Sequence, residues 1–156
     1  MSTPDVLHLP AGQGPTLWFG EAVYTFKAAA GSTGGALTLA EASVPPGNGP
    51  PPHVHAEVDE AFFVLAGELE FLSGERTFRA GAGDFVFVPR GVRHRFRNVG
   101  LHVARTLFLF VPGGMDGYFT EIGVPARAGE TGPALTEEQR RQVVDIAPRY
   151  GLTIAP

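Results

Sequence analysis

The chain contains no cysteine among its 156 residues. Disulfides, thiolate metal sites and a cysteine nucleophile are therefore excluded, and any bound metal must be held by nitrogen and oxygen. Charge is also sparse. Asp, Glu, Lys and Arg make up 18% of the chain and the net charge is -4 at pH 7. With a pI near 5.7, no nucleic-acid partner is expected. No apolar run approaches the roughly 18 residues that a membrane helix needs, so no membrane partner is expected either. The first twenty residues are broken by Pro4, Pro10 and Pro15 and lack the basic start and apolar stretch of a secretory signal. A cytoplasmic location is the expectation.

Hydrophobic residues are plentiful at 44%, enough for a real core and too many for a disordered chain. Glycine and proline are abundant, at 21 and 14 residues. They fall between short apolar runs, the pattern of many tight turns joining many strands, so the fold class is read as all-β. One domain fits the length. It divides into an arm (residues 1–20), a barrel (about 21–112) and a short C-terminal helical tail (about 113–156). Strands are expected over residues 21–27 and 36–44, around a glycine-rich turn at 31–35. Further strands are expected over 60–66, 68–72, 76–79, 84–88, 92–99 and 102–111. In the tail, residues 115–122 fit a short helix ended by Gly123. Thr136-Glu-Glu-Gln139 is a capping box that opens another.

Certain polar residues break this apolar pattern. His53 and His55 are two apart, which in a strand puts both on one face with Cα atoms about 7 Å apart. Two imidazoles so placed can converge on an ion about 2.0–2.1 Å from each nitrogen, if that ion is zinc-like. Glu60 shares its predicted face with Phe62 and Val64. His94 lies between Val92 and Phe96, on the face opposite Arg93, Arg95 and Arg97. Burying a carboxylate among apolar side chains is costly unless it is paired or metal-bound. One shared cation held by His53, His55, Glu60 and His94 accounts for all of them. Glu57, two residues after His55, is a rival carboxylate on the same face. Phe62, Val64 and Phe96 would line an apolar pocket beside the ion, with Met115, Tyr118 and Phe119 capping its mouth. Gly113-Gly114 is a candidate lid hinge. His8 and His102 are read as core residues. The arginine comb of the His94 strand is read as a solvated face or one paired with acids.

The spacing around these residues resembles a known family. Gly47, five residues, His53, one, His55, four, Glu60, six and Gly67 resembles the first cupin motif at every position. Gly83, five, Pro89, one, Gly91, two, His94, three and Asn98 resembles the second. The resemblance implies a double-stranded β-helix, or jelly-roll, barrel. It implies His53, His55, Glu60 and His94 as ligands of one divalent metal ion per chain, and it favours Glu60 over Glu57. Iron, manganese, nickel, copper and zinc all suit such a mixed nitrogen and oxygen site. The glycines would serve turns, and Asn98 would tie backbone at a strand end. The stretches 50–67 and 84–91 and the helical tail look like small bacterial monocupins related to quercetin 2,3-dioxygenase. That likeness implies a dioxygenase acting on a flavonol-like, aromatic or enolic small molecule, with Glu60 as the catalytic group that accepts the substrate proton. A metal-dependent isomerase or lyase, or a non-catalytic binding or sensing module, is the alternative. A homodimer is expected from family habit and from the spare apolar strand face of Ala61, Phe63 and Leu65.

Overall fold

The computed structural model describes residues 5–156. Short runs in which buried and solvent-facing side chains alternate become strands. β1 (Thr16–Phe19) and β2 (Ala22–Ala28) form a hairpin, and β3 (Thr38–Val44) follows a single helical turn, α1 (Ala30–Thr33). β4 (His53–His55) emerges from the proline-rich connection. After it come β5 (Asp59–Ala66), β6 (Glu68–Ser73), β7 (Arg76–Gly81), β8 (Phe85–Val88), β9 (His94–Arg97) and β10 (Ala104–Val111). The tail adds α2 (Met115–Ile122), β11 (Val124–Pro125), α3 (Glu137–Ile146) and β12 (Leu152–Ile154).

These strands form two antiparallel sheets, ordered β11-β1-β2-β3-β10-β5-β8 and β12-β4-β9-β6-β7. Side chains of the two inner faces interdigitate as a sandwich core. Phe62 sits at its centre, with ring centroids 5.0 Å from Phe71 and 4.8 Å from Phe108 in edge-to-face geometry. Large residues face small ones across strands: Phe108 pairs with Ala40, and Tyr24 with Ala42. That volume match lets aromatic rings fill the space between the sheets. The result is the double-stranded β-helix, carrying short helices at its C-terminal end.

Two turns show why particular residues are needed. Gly67, with φ of +75°, lies so close to β10 that a Cβ would sit 2.9 Å from the Ala104 Cα. Only glycine combines that left-handed backbone with that approach. Asn98 is fully buried. Its Nδ2 donates to the carbonyls of Val44 (2.9 Å) and His102 (2.7 Å), and its Oδ1 accepts from the Gly100 amide (2.9 Å). The Asn98 backbone holds Gly47 and Asn48 through bonds of 2.7 and 2.9 Å. Asn98→Ala should therefore cost about 2–4 kcal/mol, because a buried carbonyl and amide lose their partners. Urea unfolding checks this; a loss within 0.5 kcal/mol, the range of an ordinary surface change, would contradict it.

Several expectations need correction. The arm does not extend to residue 20: Thr16–Phe19 is a strand between β2 and β11. The prolines ahead of it mask a run of only four residues. Residues 1–4 of the arm lie outside the described residues. The glycine-rich turn at 31–35 starts as the helical turn α1. The tail is not wholly helical, since β11 pairs with β1 and β12 with β4. His8 and His102 are exposed rather than in the core. Gly113 is a poor hinge, because its amide donates to the Gly35 carbonyl (2.9 Å) and a Cβ would meet the Leu37 carbonyl oxygen at 2.8 Å. The helix α2 does end at Gly123. The capping box at α3 is complete, with the Gln139 amide donating to Thr136 Oγ1 (3.1 Å) and the Thr136 amide to Gln139 Oε1 (2.9 Å). Among the described residues, no helix is long and apolar enough to cross a membrane.

Candidate metal centre

The smaller sheet presents three imidazoles and the larger sheet one carboxylate. His53 and His55 point inward from β4, whose register on β12 runs Leu152 to His55 and Ile154 to His53. On its other side β4 pairs with β9, His53 opposite His94. Glu60 reaches across from β5. All four residues are buried, and each offers a ligand atom within 4.8 Å of the others. Among the described residues this is the group of His, Asp and Glu side chains placed to hold an ion. Glu57, the rival carboxylate, is exposed and lies outside it. Asp59 points away and forms an ion pair with Arg90 at 3.0 Å.

The hydrogen bonds set the tautomers. A carbonyl only accepts, so Nδ1 of His53 donates to Pro51 O (2.9 Å) and Nδ1 of His94 to Val92 O (2.9 Å). Each ring then turns Nε2 inward, the usual device by which an outer partner orients a metal-binding imidazole. His94 Nε2 lies 2.7 Å from Glu60 Oε2, and His55 Nε2 lies 3.2 Å from the same oxygen. A bare imidazole nitrogen and a carboxylate oxygen are both acceptors, and at 2.7 Å they repel unless a positive charge lies between them. A proton on His94 meets that need, and a divalent cation meets it for all four donors at once. The donor set thus fits a metal ion of the nitrogen- and oxygen-loving kind.

The proton affinities agree. Burial pulls the His53 imidazole down to about 4, so it is neutral and ready to ligate. Burial pushes the Glu60 carboxyl up, but hydrogen bonds from His55 and His94 outweigh it and leave the group at about 2. Burial lowers His94, yet its bond to Glu60 and that group's charge raise it above the ordinary imidazole value. The bond to Glu60 favours a proton on His94 in the metal-free site, and a metal must displace that proton wherever it is bound. Metal affinity should fall by about tenfold per pH unit below the raised His94 value and level off above it. The metal-free protein behaves oppositely: the protonated pair stabilises it fully below the ordinary imidazole value, and that contribution is lost as pH rises through the raised one. Competition titrations with a chelator at several pH values check the first statement; a flat affinity from pH 8 to 5 would exclude these ligands.

Beside the ligands lies a cavity of about 500 Å³, within the range of small-molecule sites. Phe96, Met115, Tyr118 and Phe119 lie on its wall. Phe62 and Val64 do not; they are buried against the core below it. The period of two tells which face a side chain takes, but not how deep in the barrel it sits. The wall also includes residues not anticipated from sequence, among them Tyr24, Phe108 and Phe110, with Leu135, Arg140 and Val143 from the tail. Tyr24 is the notable one. Its ring is held by Phe119 (4.8 Å) and Phe108 (5.7 Å). Its hydroxyl has no hydrogen-bond partner among the described residues, and burial and the charge of Glu60 push its pKa well above the ordinary phenol value, so it stays protonated. A buried phenol usually finds a partner, and here it faces the cavity. Alternation across Ala22, Tyr24, Phe26 and Ala28 could have marked it as inward.

A double-stranded β-helix whose three histidines and one glutamate converge at its centre has a donor set that could hold one metal ion. Residues 40–110 match the cupin domain. Over that stretch, a little under half of its length, the chain is similar to the cupin superfamily. It is 26% identical over 117 residues to quercetin 2,3-dioxygenase of Bacillus subtilis (strain 168), covering 75% of this chain and 34% of that protein. It is 40% identical over 83 residues to polyketide synthase CurC of Streptomyces cyaneus, covering 53% of this chain and 52% of the relative. The chain thus spans about a third to a half of these relatives. Among solved structures, a predicted oxalate decarboxylase from Thermotoga maritima superposes with a TM-score of 0.57 at 23% identity, over 60% of this chain and 82% of that one. At that identity the likeness speaks for the fold.

Proposed function

We propose that this chain is a metal-dependent dioxygenase acting on a flavonol-like or other aromatic, enolic small molecule. The observation that carries the reading is the juxtaposition of a four-donor site with an aromatic-walled cavity large enough for such a ring system. The relative from Bacillus subtilis that carries out quercetin 2,3-dioxygenation by name supports the substrate class.

The bound ion would supply a Lewis acid that favours the ionised form of a substrate hydroxyl and a place where the ring meets dioxygen. The rest falls to the chain. Phe96, Phe108, Phe110 and Phe119 offer faces and edges to a planar ring. Glu60 Oε2, held by His55 and His94, is positioned to accept the hydroxyl proton. Tyr24 can donate its unpartnered hydroxyl to a ligand oxygen. Leu135 and Val143, contributed by the tail, add apolar wall to the cavity.

A second reading, an isomerase or lyase working on an enolisable carbonyl without oxygen, is favoured by one observation. The relative from Streptomyces cyaneus is named a polyketide synthase, and polyketides are chains rich in such carbonyls. Oxygen uptake by metal-loaded protein with quercetin tests the first reading, and uptake matched to loss of the flavonol absorbance is the expected result. Turnover that proceeds anaerobically would replace it with the second. Tight binding without turnover would leave a sensing module.

A further inference from the structure

Apart from the four donors, the polar side chains on the cavity wall are of two kinds. Glu21 and Arg140 are exposed and Asn48 is half-buried, so water reaches them without a ligand. Tyr24 is different. It is 6% exposed, and it lines the cavity. The other two tyrosines have partners: the Tyr118 hydroxyl donates to the Val143 carbonyl (3.5 Å) and the Tyr150 hydroxyl to Glu121 Oε2 (2.8 Å). The Tyr24 hydroxyl has none among the described residues. Nor is its ring free to turn toward one. It stacks on Phe108 at 5.7 Å, tilts against Phe119 at 4.8 Å and meets the edge of Phe19 at 6.3 Å. Phenylalanine, which supplies most of the neighbouring wall, would fill this place without the hydroxyl. A buried hydroxyl left without a partner costs stability, so its presence here points to something in the cavity that pairs with it.

We propose that Tyr24 is a specificity-determining residue of this site: its hydroxyl donates to a ligand oxygen other than the one directed at the four donors. The site then takes aromatic or enolic molecules with at least two oxygens in preference to those with one. This rests on the reading of the cavity as the seat of such a molecule. The direction of the bond is fixed, because burial and the charge of Glu60 keep the phenol protonated. It therefore asks for an acceptor, such as a carbonyl, enolate or phenolic oxygen, and gains nothing from an ammonium group. The fold also separates the two contacts. Glu60 comes from β5 and Tyr24 from β2, with β10 and β3 between them in the same sheet. The two groups therefore address two positions on a bound ring system. A donor already clamped by its neighbours loses little freedom on binding, so most of the bond's strength goes into selectivity.

The test compares Tyr24→Phe with wild type by calorimetric titration under nitrogen. Both proteins are saturated with zinc, which has no redox chemistry, and freed of excess metal. The probes are quercetin, which carries several oxygens, and 2-naphthol, which carries one. Quercetin should bind the variant about 10–100-fold more weakly, while 2-naphthol should bind both proteins equally within about twofold. A second readout needs no ligand. The variant loses no hydrogen bond within the chain, so it should melt no lower than wild type, and quercetin should raise its melting temperature less. Unchanged quercetin affinity would overturn the proposal, because the hydroxyl would then make no bond to the ligand. An equal loss for both probes, or a ligand-free variant that melts several degrees lower, would overturn it by assigning the residue to packing. A wild type that binds quercetin no more tightly than 2-naphthol would overturn it too. Oxygen uptake decides the dioxygenase reading separately. Selectivity without uptake would remove that reading and keep this role for Tyr24, and uptake with unchanged quercetin affinity in the variant would do the reverse.

Discussion

His94→Ala should empty the metal site while leaving the barrel folded. The side chain supplies one of four donors and is the only one on β9, so nothing nearby can take its place. Altering a group that merely orients a ligand costs 10–100-fold in metal affinity; removing the ligand should cost at least about 100-fold. Dialysed protein should carry almost no metal by elemental analysis, against about one ion per chain in the wild type. The variant also strips Glu60 of its shortest contact, 2.7 Å, in a site where the carboxylate is only 3% exposed. Breaking such a buried pair costs about 3–5 kcal/mol, so the metal-free variant should melt earlier. His94→Gln separates the two effects. Its amide can still donate to Glu60, which restores most of the stability, but it replaces an imidazole nitrogen by a weaker donor. Metal loss in both variants, with stability recovered in the second, is the expected pattern. Wild-type metal content in His94→Ala would defeat the ligand assignment.

The four donors were legible in the sequence because each contradicts its surroundings. His53 and His55 keep a period of two, Glu60 sits on the face of Phe62, and His94 interrupts Val92 and Phe96. The glycines at 47, 67, 83 and 91 were legible for a similar reason: each takes a positive φ, which few other residues accept. Other features depended on what the chain meets elsewhere. Val124–Pro125 and Leu152–Ile154 are too short to show any period, and they are strands because β1 and β4 offer them open edges. Phe62 and Tyr24 both read as inward residues, yet one fills the core and the other faces the cavity. The difference is position along the barrel, which a period of two does not report. The apolar face of α3, with Val143 toward the cavity, could be read as a helix stripe without revealing what it covers. Phe85 and Phe87 fall in the strand expected over 84–88, where Phe85-Val-Phe-Val88 is apolar throughout, and such continuity alone does not tell which side chains stay uncovered in a single chain.

Glu60→Gln should separate holding the ion from moving the proton. Glutamine keeps the shape and one neutral oxygen donor but loses the charge and the basicity. In the metal-free protein the change should cost stability at pH values where His94 is protonated, because the charged pair is lost, and less where His94 is neutral, because the new amide can then donate to its Nε2. The same change removes what raises the His94 proton affinity, leaving burial to lower it, so that imidazole should become neutral across the ordinary pH range. Metal affinity should drop, since one anionic ligand becomes neutral, but saturating metal should still fill the site. Under those conditions a flavonol should still bind, quenching or shifting its own absorbance. Oxygen uptake should fall by about 10²–10⁴, the usual loss when a positioned proton acceptor is removed. The split between retained binding and lost turnover is the signature, because a purely structural role would lower both together. A metal-saturated Glu60→Gln that turns over as fast as the wild type would show that the proton goes elsewhere. The other hydroxyl-bearing group facing the cavity without a partner, Tyr24, would then be the side chain to change next.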